Sequence, residues 1–308
     1  MFSFSILDPR SIPAATAAND AIFAAGPVYG VEVTVPALAA RCVTNLDPQH
    51  SGGDASRAAI EDAITAQLPS EGTTLATVRA DLDAVGSMAV FSLRAKGESL
   101  EPAMERIAMI ASADKFARGG YSGPKSLPTA DNPWPEESAS AEGSRSLAAI
   151  AAAVMDFRVP LADRVALMEA WLLTGHEPAQ YRAAVERERL DLIRALDGGE
   201  ISVGLAADGR IAVVESTHRA ATMVGYALAP VVVARNPAFR VGGGEPHTKF
   251  TVCVFEAGKF ADIKSVLAEL ATIEPGWGGS PTIGGSPQGV SSLLTTEQVV
   301  EVVARHLK

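Results

Sequence analysis

The stretch from Thr74 to Phe91 most constrains the fold, because it encodes a strand, a turn and a helix in immediate succession. Leu75 to Val78 is a short apolar run that predicts a buried strand. Val85 to Arg94 carries apolar side chains at helical spacing and predicts an amphipathic helix. The turn between them holds Asp81 and Asp83. Because ligands bind beyond the carboxyl ends of strands in open α/β sheets, this turn is predicted to lie at a ligand-binding edge.

The aspartate pair allows two interpretations. Two carboxylates one residue apart repel each other unless a cation or a set of donors neutralises them. Clustered carboxylate oxygens suit hard divalent cations, so Asp81 and Asp83 are candidate metal ligands. Alternatively, Asp83 caps the helix that follows, a role that does not account for Asp81.

Two further segments offer polar side chains to the same edge. The turn-rich loop Asn45 to Gly53 contains Asp47 and His50, which are a candidate metal ligand and a candidate imidazole ligand. An ordinary solvated turn is the alternative. A helix predicted from Leu100 to Ser112 runs into Asp114, which suits either a metal ligand or a surface ion pair.

The heptapeptide Asp81-Leu-Asp83-Ala-Val-Gly86-Ser87 resembles the D-x-D-A-x-G-S motif of the DHH phosphoesterase superfamily. The resemblance implies an α/β fold and hydrolysis of a phosphoester with Mn²⁺ or Mg²⁺ held on clustered Asp and His. It makes Asp81 and Asp83 catalytic residues and Asp114 a further ligand. His50 is the third candidate catalytic residue, because its imidazole could replace the histidine that the motif lacks. Thr77 stands where the family has a histidine, and the chain has no Asp-His-His triplet.

The C-terminal third resembles the smaller substrate domain that accompanies many DHH proteins. Asp197-Gly-Gly199 predicts a boundary between a domain of residues 1–197 and one of residues 198–308. The glycine-rich segment 276–289 is the counterpart of the family's substrate segment and lacks its histidine. Such segments expose backbone N–H groups to anions, although a flexible surface loop is the alternative. The predicted substrate-binding residues are His218, Arg219, Gly278, Gly279, Ser280, Gly284, Gly285 and Ser286.

Residues 121–146 are rich in Pro, Gly and Ser and predict a long loop. Trp134 lies between two prolines in this loop. The loop is a candidate lid. Trp134 is expected to anchor the loop to the core, and the alternative is that Trp134 docks onto the site.

Composition limits the function classes. A formal net charge of −10 over 308 residues disfavours duplex nucleic acid, which requires a basic surface, and leaves room for a small anionic substrate. We see no signal peptide and no apolar run long enough to span a bilayer, so no membrane association is expected. Two distant cysteines, Cys42 and Cys253, are typical of a cytoplasmic protein. Whether the chain forms a homodimer is left open.

Together these features predict a two-domain α/β protein. The N-terminal domain is expected to hold a mainly parallel sheet with helices on both faces, and the C-terminal domain to be a smaller α/β unit. The predicted function is metal-dependent hydrolysis of a small phosphoester or short nucleotide bound between the domains. The alternatives are a hydrolase or lyase of a non-phosphorylated metabolite, and a non-catalytic binding protein without the metal.

Overall fold

The computed structural model describes residues 2–47, 57–114, 123–135, 141–240 and 244–308. The chain divides into two compact units, one formed by residues 1–118 and 142–186 and the other by residues 119–141 and 187–308. The domain boundary expected at residue 197 stays a prediction. Of the helices in the described ranges, none combines the length and apolar character that crossing a bilayer requires.

The first unit is built on a four-stranded parallel sheet. Its strands are β1 (Ser3–Ile6), β2 (Val28–Val31), β3 (Thr44–Leu46) and β4 (Thr74–Thr77). They lie in the order β1-β4-β2-β3, and each neighbouring pair is parallel. The carboxyl ends of β4, β2 and β3 therefore meet at one edge of the sheet.

Helices cover both faces of this sheet. The helices that lie wholly or partly in this unit are α1 (Pro13–Ala25), α2 (Pro36–Ala39), α3 (Ala59–Ala63), α4 (Leu82–Ala95), α5 (Met104–Asp114), α6 (Ala141–Val154), α7 (Leu161–Thr174) and α8 (Ala179–Asp197). On one face, Tyr29 and Leu75 pack with apolar side chains of α4, α5 and α7. On the other face, Val28 and Ala76 pack with side chains of α1 and α2. The predicted α/β class is confirmed.

The central helix, α4, is buried on nearly every side. All its residues from Asp83 to Leu93 are buried, which exceeds what an amphipathic pattern requires. Gly86 lets α3 and α5 pack closely, because a Cβ there would lie 2.7 Å from Ile60 Cδ1 and 3.3 Å from Ile110 Cδ1. The glycine of the heptapeptide thus has a packing role.

The second unit contains a six-stranded mixed sheet. Its strands are β5 (Ser202–Ala206), β6 (Ile211–Glu215), β7 (Val231–Phe239), β8 (His247–Val254), β9 (Gly278–Gly279) and β10 (Ile283–Gly285), in the order β5-β6-β7-β8-β10-β9. Three helices accompany them, α9 (Ala221–Leu228), α10 (Ile263–Ile273) and α11 (Thr296–Arg305). A capping box of Thr295 and Gln298 begins α11, as such a Thr-x-x-Gln pattern predicts.

Two local predictions were wrong. The alternating run Val31 to Val35 predicts a strand, yet the strand is Val28–Val31 and Glu32 follows it with a left-handed φ of 51°. The loop predicted from Asn45 to Gly53 begins two residues too early, because Asn45 and Leu46 belong to β3, Thr44–Leu46. Residues 48–53 of this loop lie outside the described residues. At both places, the pairing of short parallel strands and not the local sequence pattern decides which residues form the strand. The register of β2 is fixed by β3 and β4 on either side.

Candidate active site

Five carboxylates gather at the carboxyl edge of the parallel sheet. Glu32 and Asp47 directly follow β2 and β3, and Asp81 lies four residues beyond β4. Asp83 lies in the first turn of α4, and Asp114 is the last residue of α5. Each of the other four raises the pKa of Glu32 electrostatically, so these residues form one acidic cluster.

Asp83 joins α4 to α3. Its side chain is 1% exposed, and its two oxygens accept hydrogen bonds from the backbone N–H groups of Ala59 at 2.8 Å and Ile60 at 2.9 Å. These donors form the first turn of α3, so the carboxylate caps a neighbouring helix rather than its own. Burial, followed by repulsion from Asp114, raises the pKa of Asp83 to about 7, although the two hydrogen bonds oppose the shift.

Asp81 is the residue that caps α4. Its Oδ1 accepts from Ala84 N at 3.2 Å, and its Oδ2 lies 3.4 Å from Arg79 Nε. The interpretation of Asp83 as the cap of α4 was therefore wrong, because α4 begins at Leu82, three residues before the start that the apolar pattern predicts. Thr77 is fully buried and closes the turn through hydrogen bonds with the backbone of Arg79.

Glu32 is the cluster residue that the sequence analysis missed. Its left-handed backbone is uncommon for a residue other than glycine and is found disproportionately at functional sites. Its N–H continues the sheet by donating to Leu46 O at 2.9 Å. Burial, and then repulsion from Asp83 and the other carboxylates, raises the pKa of Glu32 to about 9. An acidic residue immediately after an apolar run was the available signal.

The remaining predicted ligands are placed as follows. Asp47 is buried at the end of β3, and Asp114 is half-buried. His50 lies outside the described residues. Within the described ranges, no three or more His, Cys, Asp or Glu side chains lie in an arrangement that could hold a metal ion.

The chemistry of the cluster follows from its charge. Five carboxylates at one edge are unfavourable when all are ionised, so the cluster, chiefly Glu32 and Asp83, retains protons to higher pH than isolated carboxyls do. A carboxyl of raised pKa is a proton donor at neutral pH. A bound divalent cation would reverse these shifts by favouring the ionised forms. The cluster can therefore exchange protons or attract a cation.

In the second unit, the turn from Ser216 to Arg219 lines a cavity of about 430 Å³. His218 Nδ1 accepts from Ala220 N at 3.1 Å, and the His218 N–H donates to Ser216 Oγ at 2.9 Å. Arg219 forms an exposed ion pair with Glu188 at 2.5 Å. Both predicted residues of this turn thus face one cavity.

The glycine-rich segment forms a tight hairpin, β9 and β10, rather than a loose loop. Gly278, Gly284, Gly285 and Ser286 line a second cavity of about 430 Å³. The Ser280 N–H turns back to donate to Ile283 O at 2.7 Å. The backbone donors of this turn are therefore partly used within the hairpin.

Glu274 holds the glycine-rich segment in place from its start. One carboxylate oxygen accepts from Trp277 Nε1 and Ser292 Oγ, both at 2.8 Å, and the other accepts from Leu293 N at 2.7 Å. These three bonds connect both ends of the segment to a single side chain.

We expect Glu274→Gln to loosen this segment. The amide can accept through only one oxygen and presents a donor to the remaining N–H or O–H, so the free energy of unfolding should fall by about 1–2 kcal/mol. Hydrogen exchange followed by mass spectrometry should show faster exchange across residues 276–293. Glu301→Gln is the matched control, because Glu301 forms only an exposed pair with Arg305. Unchanged protection in Glu274→Gln would contradict this role.

The described part of the proline-rich loop is attached to the second unit. Lys125 N donates to Ala227 O at 2.6 Å, and Leu127 packs against the core beneath α9. Trp134 is buried, with the Arg189 guanidinium 3.9 Å from the centre of its ring. Trp134 acts as an anchor, which was the expected role.

Comparison with known proteins adds little. No protein-family model matches the chain, and no curated protein matches it. A solved structure that it resembles is that of an uncharacterized protein from Helicobacter pylori G27, at 11% sequence identity and a TM-score of 0.20. The match covers 91% of this chain and 98% of that one. Such a score carries no argument about fold or function.

Proposed function

We propose that the chain is a hydrolase that depends on a divalent cation and acts on a small phosphoester or short nucleotide. The observation that supports this proposal is the acidic cluster at the carboxyl edge of the parallel sheet. There, the carboxyls of Glu32 and Asp83 have pKa values raised to about 9 and about 7 by burial and by their acidic neighbours. Such perturbation in one group of side chains is typical of functional sites.

The cluster suits a hard cation chemically. Carboxylate oxygens are the donors that Mn²⁺ and Mg²⁺ prefer, and a cation would offset the repulsion among the five groups. Glu32, Asp81 and Asp83 would hold it, with Asp47 and Asp114 nearby. Because the described side chains do not already form a three-donor group, cation binding must draw them together. When bound, the cation would supply a Lewis acid that lowers the pKa of a water molecule.

The relationship to the DHH superfamily is part of the same proposal. It is supported by the motif Asp81 to Ser87 at the end of a parallel strand. His218, Arg219 and the glycine-rich segment are the proposed substrate-binding residues of the second unit. We propose a cytoplasmic location, which is consistent with the two free cysteines.

A second candidate is a non-catalytic protein that binds a small ligand. The favouring observation is that the motif residues have structural roles. Asp81 caps α4 and pairs with Arg79, Asp83 caps α3, and Gly86 permits helix packing. A fold that uses both aspartates in this way does not need a metal to retain them.

Manganese binding tests the first candidate. After dialysis against Mn²⁺, the wild-type protein should retain about one or two ions per chain. Glu32→Gln should retain at least about tenfold less, because it removes one anionic donor while keeping the shape of the side chain. Glu98→Gln, an exposed Glu→Gln change in the same unit, should bind like the wild type. Mass spectrometry of metal content gives the occupancy.

The same preparations separate the two candidates. Hydrolysis of bis(p-nitrophenyl) phosphate that requires Mn²⁺ and is lost in Glu32→Gln would support the hydrolase. A wild-type protein that remains free of metal would remove this proposal. The same metal-free result would favour the second candidate, in which Asp81 and Asp83 have structural roles.

A further inference from the structure

One cavity of the second unit is strongly basic in a chain whose formal net charge is −10. Its lining includes Arg219, Arg240 and Lys249, and no Asp or Glu is among the described residues that line it. Arg219 forms an ion pair outside this lining, with Glu188. An exposed pair of this kind contributes little energy and leaves further guanidinium N–H groups available. The lining therefore favours an anion.

Lys249 is the buried member of this group. It is 8% exposed, and its ammonium group donates to the backbone carbonyl of Ser286. Within the described part of the chain, no carboxylate pairs with it. Burial lowers the pKa of Lys249. A buried ammonium group without an anionic partner is costly, so an anion from solution would stabilise it.

Lys249 also lines the second cavity, the one formed by the glycine-rich segment. That cavity of about 430 Å³ shares Lys249 and Thr251 with the basic cavity, and its described lining likewise includes no acidic residue. A Cβ on Gly285 would lie 3.1 Å from Lys249 Cε, 3.2 Å from Lys249 Nζ and 2.7 Å from Phe250 O. Glycine at this position therefore lets the lysine side chain lie across the strand and reach both cavities.

The walls of the two cavities differ in chemistry. The lining of the basic cavity includes Arg219, Arg240 and the first turn of α9, contributed by Ala221 and Thr222, whose helix dipole also favours an anion. The Arg235 side chain lies on the opposite face of the sheet, where it pairs with Glu215. The second cavity is lined mainly by glycines, with Ile283 and Gln288. Each has the volume of an ordinary small-molecule site, which is about 300–1,000 Å³. The two adjoining cavities together therefore suit a ligand with a charged end and a less charged end.

We propose that the second unit binds a phosphate ester of a small metabolite, with its phosphate beside Lys249 and Arg240 and its remaining part along the glycine-rich hairpin. Neither Lys249 nor Arg240 was among the residues predicted from the sequence. Identification of this ligand as the substrate rests on the proposed function, whereas its binding does not. Arginine forks match phosphate geometry, and the buried lysine supplies a fixed charge beside them.

The test uses the full chain in EDTA, so that the result does not depend on a metal. Inorganic phosphate and inorganic pyrophosphate are titrated calorimetrically, and succinate serves as the carboxylate probe. We expect pyrophosphate to bind most tightly and succinate at least about tenfold more weakly, because a carboxylate carries less charge and fewer acceptor oxygens. Binding should weaken as salt concentration rises.

Variants identify the residues responsible. Lys249→Met should reduce pyrophosphate affinity at least about tenfold while keeping the fold, since Met is similar in length and removes a buried charge. Arg240→Gln, at an exposed position, should reduce affinity by about threefold to tenfold without risk to folding. Lys259→Met, which removes an exposed lysine outside both cavities, is the control and should bind like the wild type.

Three results would overturn the proposal. The first is a wild-type protein that binds neither phosphate nor pyrophosphate at millimolar concentration. The second is unchanged affinity in both Lys249→Met and Arg240→Gln. The third is succinate binding as tight as pyrophosphate binding. Failure to retain Mn²⁺ would remove the proposed hydrolase and leave phosphate binding in EDTA unaffected, so the two failures are distinguishable.

Discussion

Asp83→Ala is expected to lower the free energy of unfolding by about 2–4 kcal/mol. The substitution leaves the N–H groups of Ala59 and Ile60 without their acceptor at a position that water does not reach. Each unsatisfied buried donor costs about 1–3 kcal/mol. Relief of repulsion within the acidic cluster offsets part of this cost. The net loss is a large fraction of the 5–15 kcal/mol that is typical of a folded domain.

Two further variants show whether the loss of stability in Asp83→Ala comes from the missing acceptor. Asp83→Asn should be less destabilising by about 1 kcal/mol, because its amide oxygen still accepts from one N–H group. Asp163→Ala, in the first turn of α7 and exposed, should cost less than about 0.5 kcal/mol. Urea unfolding at neutral pH measures all three. If Asp83→Ala were as stable as Asp163→Ala, the contact between Asp83 and α3 would not support the fold.

The contact between Asp83 and α3 illustrates what sequence can and cannot predict. The strand, the turn and the helix around the aspartate pair are predictable, because apolar spacing and capping act over a few residues. Which of Asp81 and Asp83 caps α4 is decided by residues close to them in the sequence. That Asp83 caps α3 depends on a contact between residues 23 and 24 positions apart in sequence. No local pattern encodes such a contact.

Glu32 and Lys249 were missed for related reasons. In the sequence, Glu32 is a polar member of the alternating run Val31 to Val35, which is typical of an outward-facing strand position. Only the pairing of β2 with β3 and β4 ends the strand at Val31, four residues before the predicted end, and turns Glu32 to the acidic edge. Lys249 lies within an apolar strand and faces the basic cavity because β8 pairs with both β7 and β10. Long-range strand pairing decides both positions.

The stability of the protein is also expected to depend strongly on pH. In EDTA, the free energy of unfolding should fall as pH rises from 5 to 9. Glu32 and Asp83 have folded-state pKa values of about 9 and about 7, above the ordinary values of 4.5 and 3.8 for these side chains. Between each pair of values, the folded state binds more protons than the unfolded state, so rising pH favours unfolding. The stabilising effect is fully present below pH 4 and is lost as pH passes the folded values.

The size of this change in the free energy of unfolding, and the pH range in which it occurs, follow from the same pKa shifts. One unit of pKa shift corresponds to about 1.4 kcal/mol, so the two groups together should change stability on the order of 4 kcal/mol between pH 5 and 9 once solvent screening of Glu32 is allowed for. The carboxyls of Asp8 and Asp156, whose pKa values are lowered by Arg10 and Arg158, act in the opposite direction only below about pH 4.

Glu32→Gln tests the contribution of Glu32 to this pH dependence, which falls in the upper half of the range from pH 5 to 9. The variant should be more stable than the wild type at pH 8 to 9, because an uncharged amide replaces a group that must ionise among four other carboxylates. Its stability should change little between pH 8 and 9, whereas Glu98→Gln should retain the wild-type slope. Urea unfolding at one-unit steps measures both. A wild-type stability that is constant or rises from pH 7 to 9 would contradict the acidic cluster, because repulsion among buried carboxylates requires a fall.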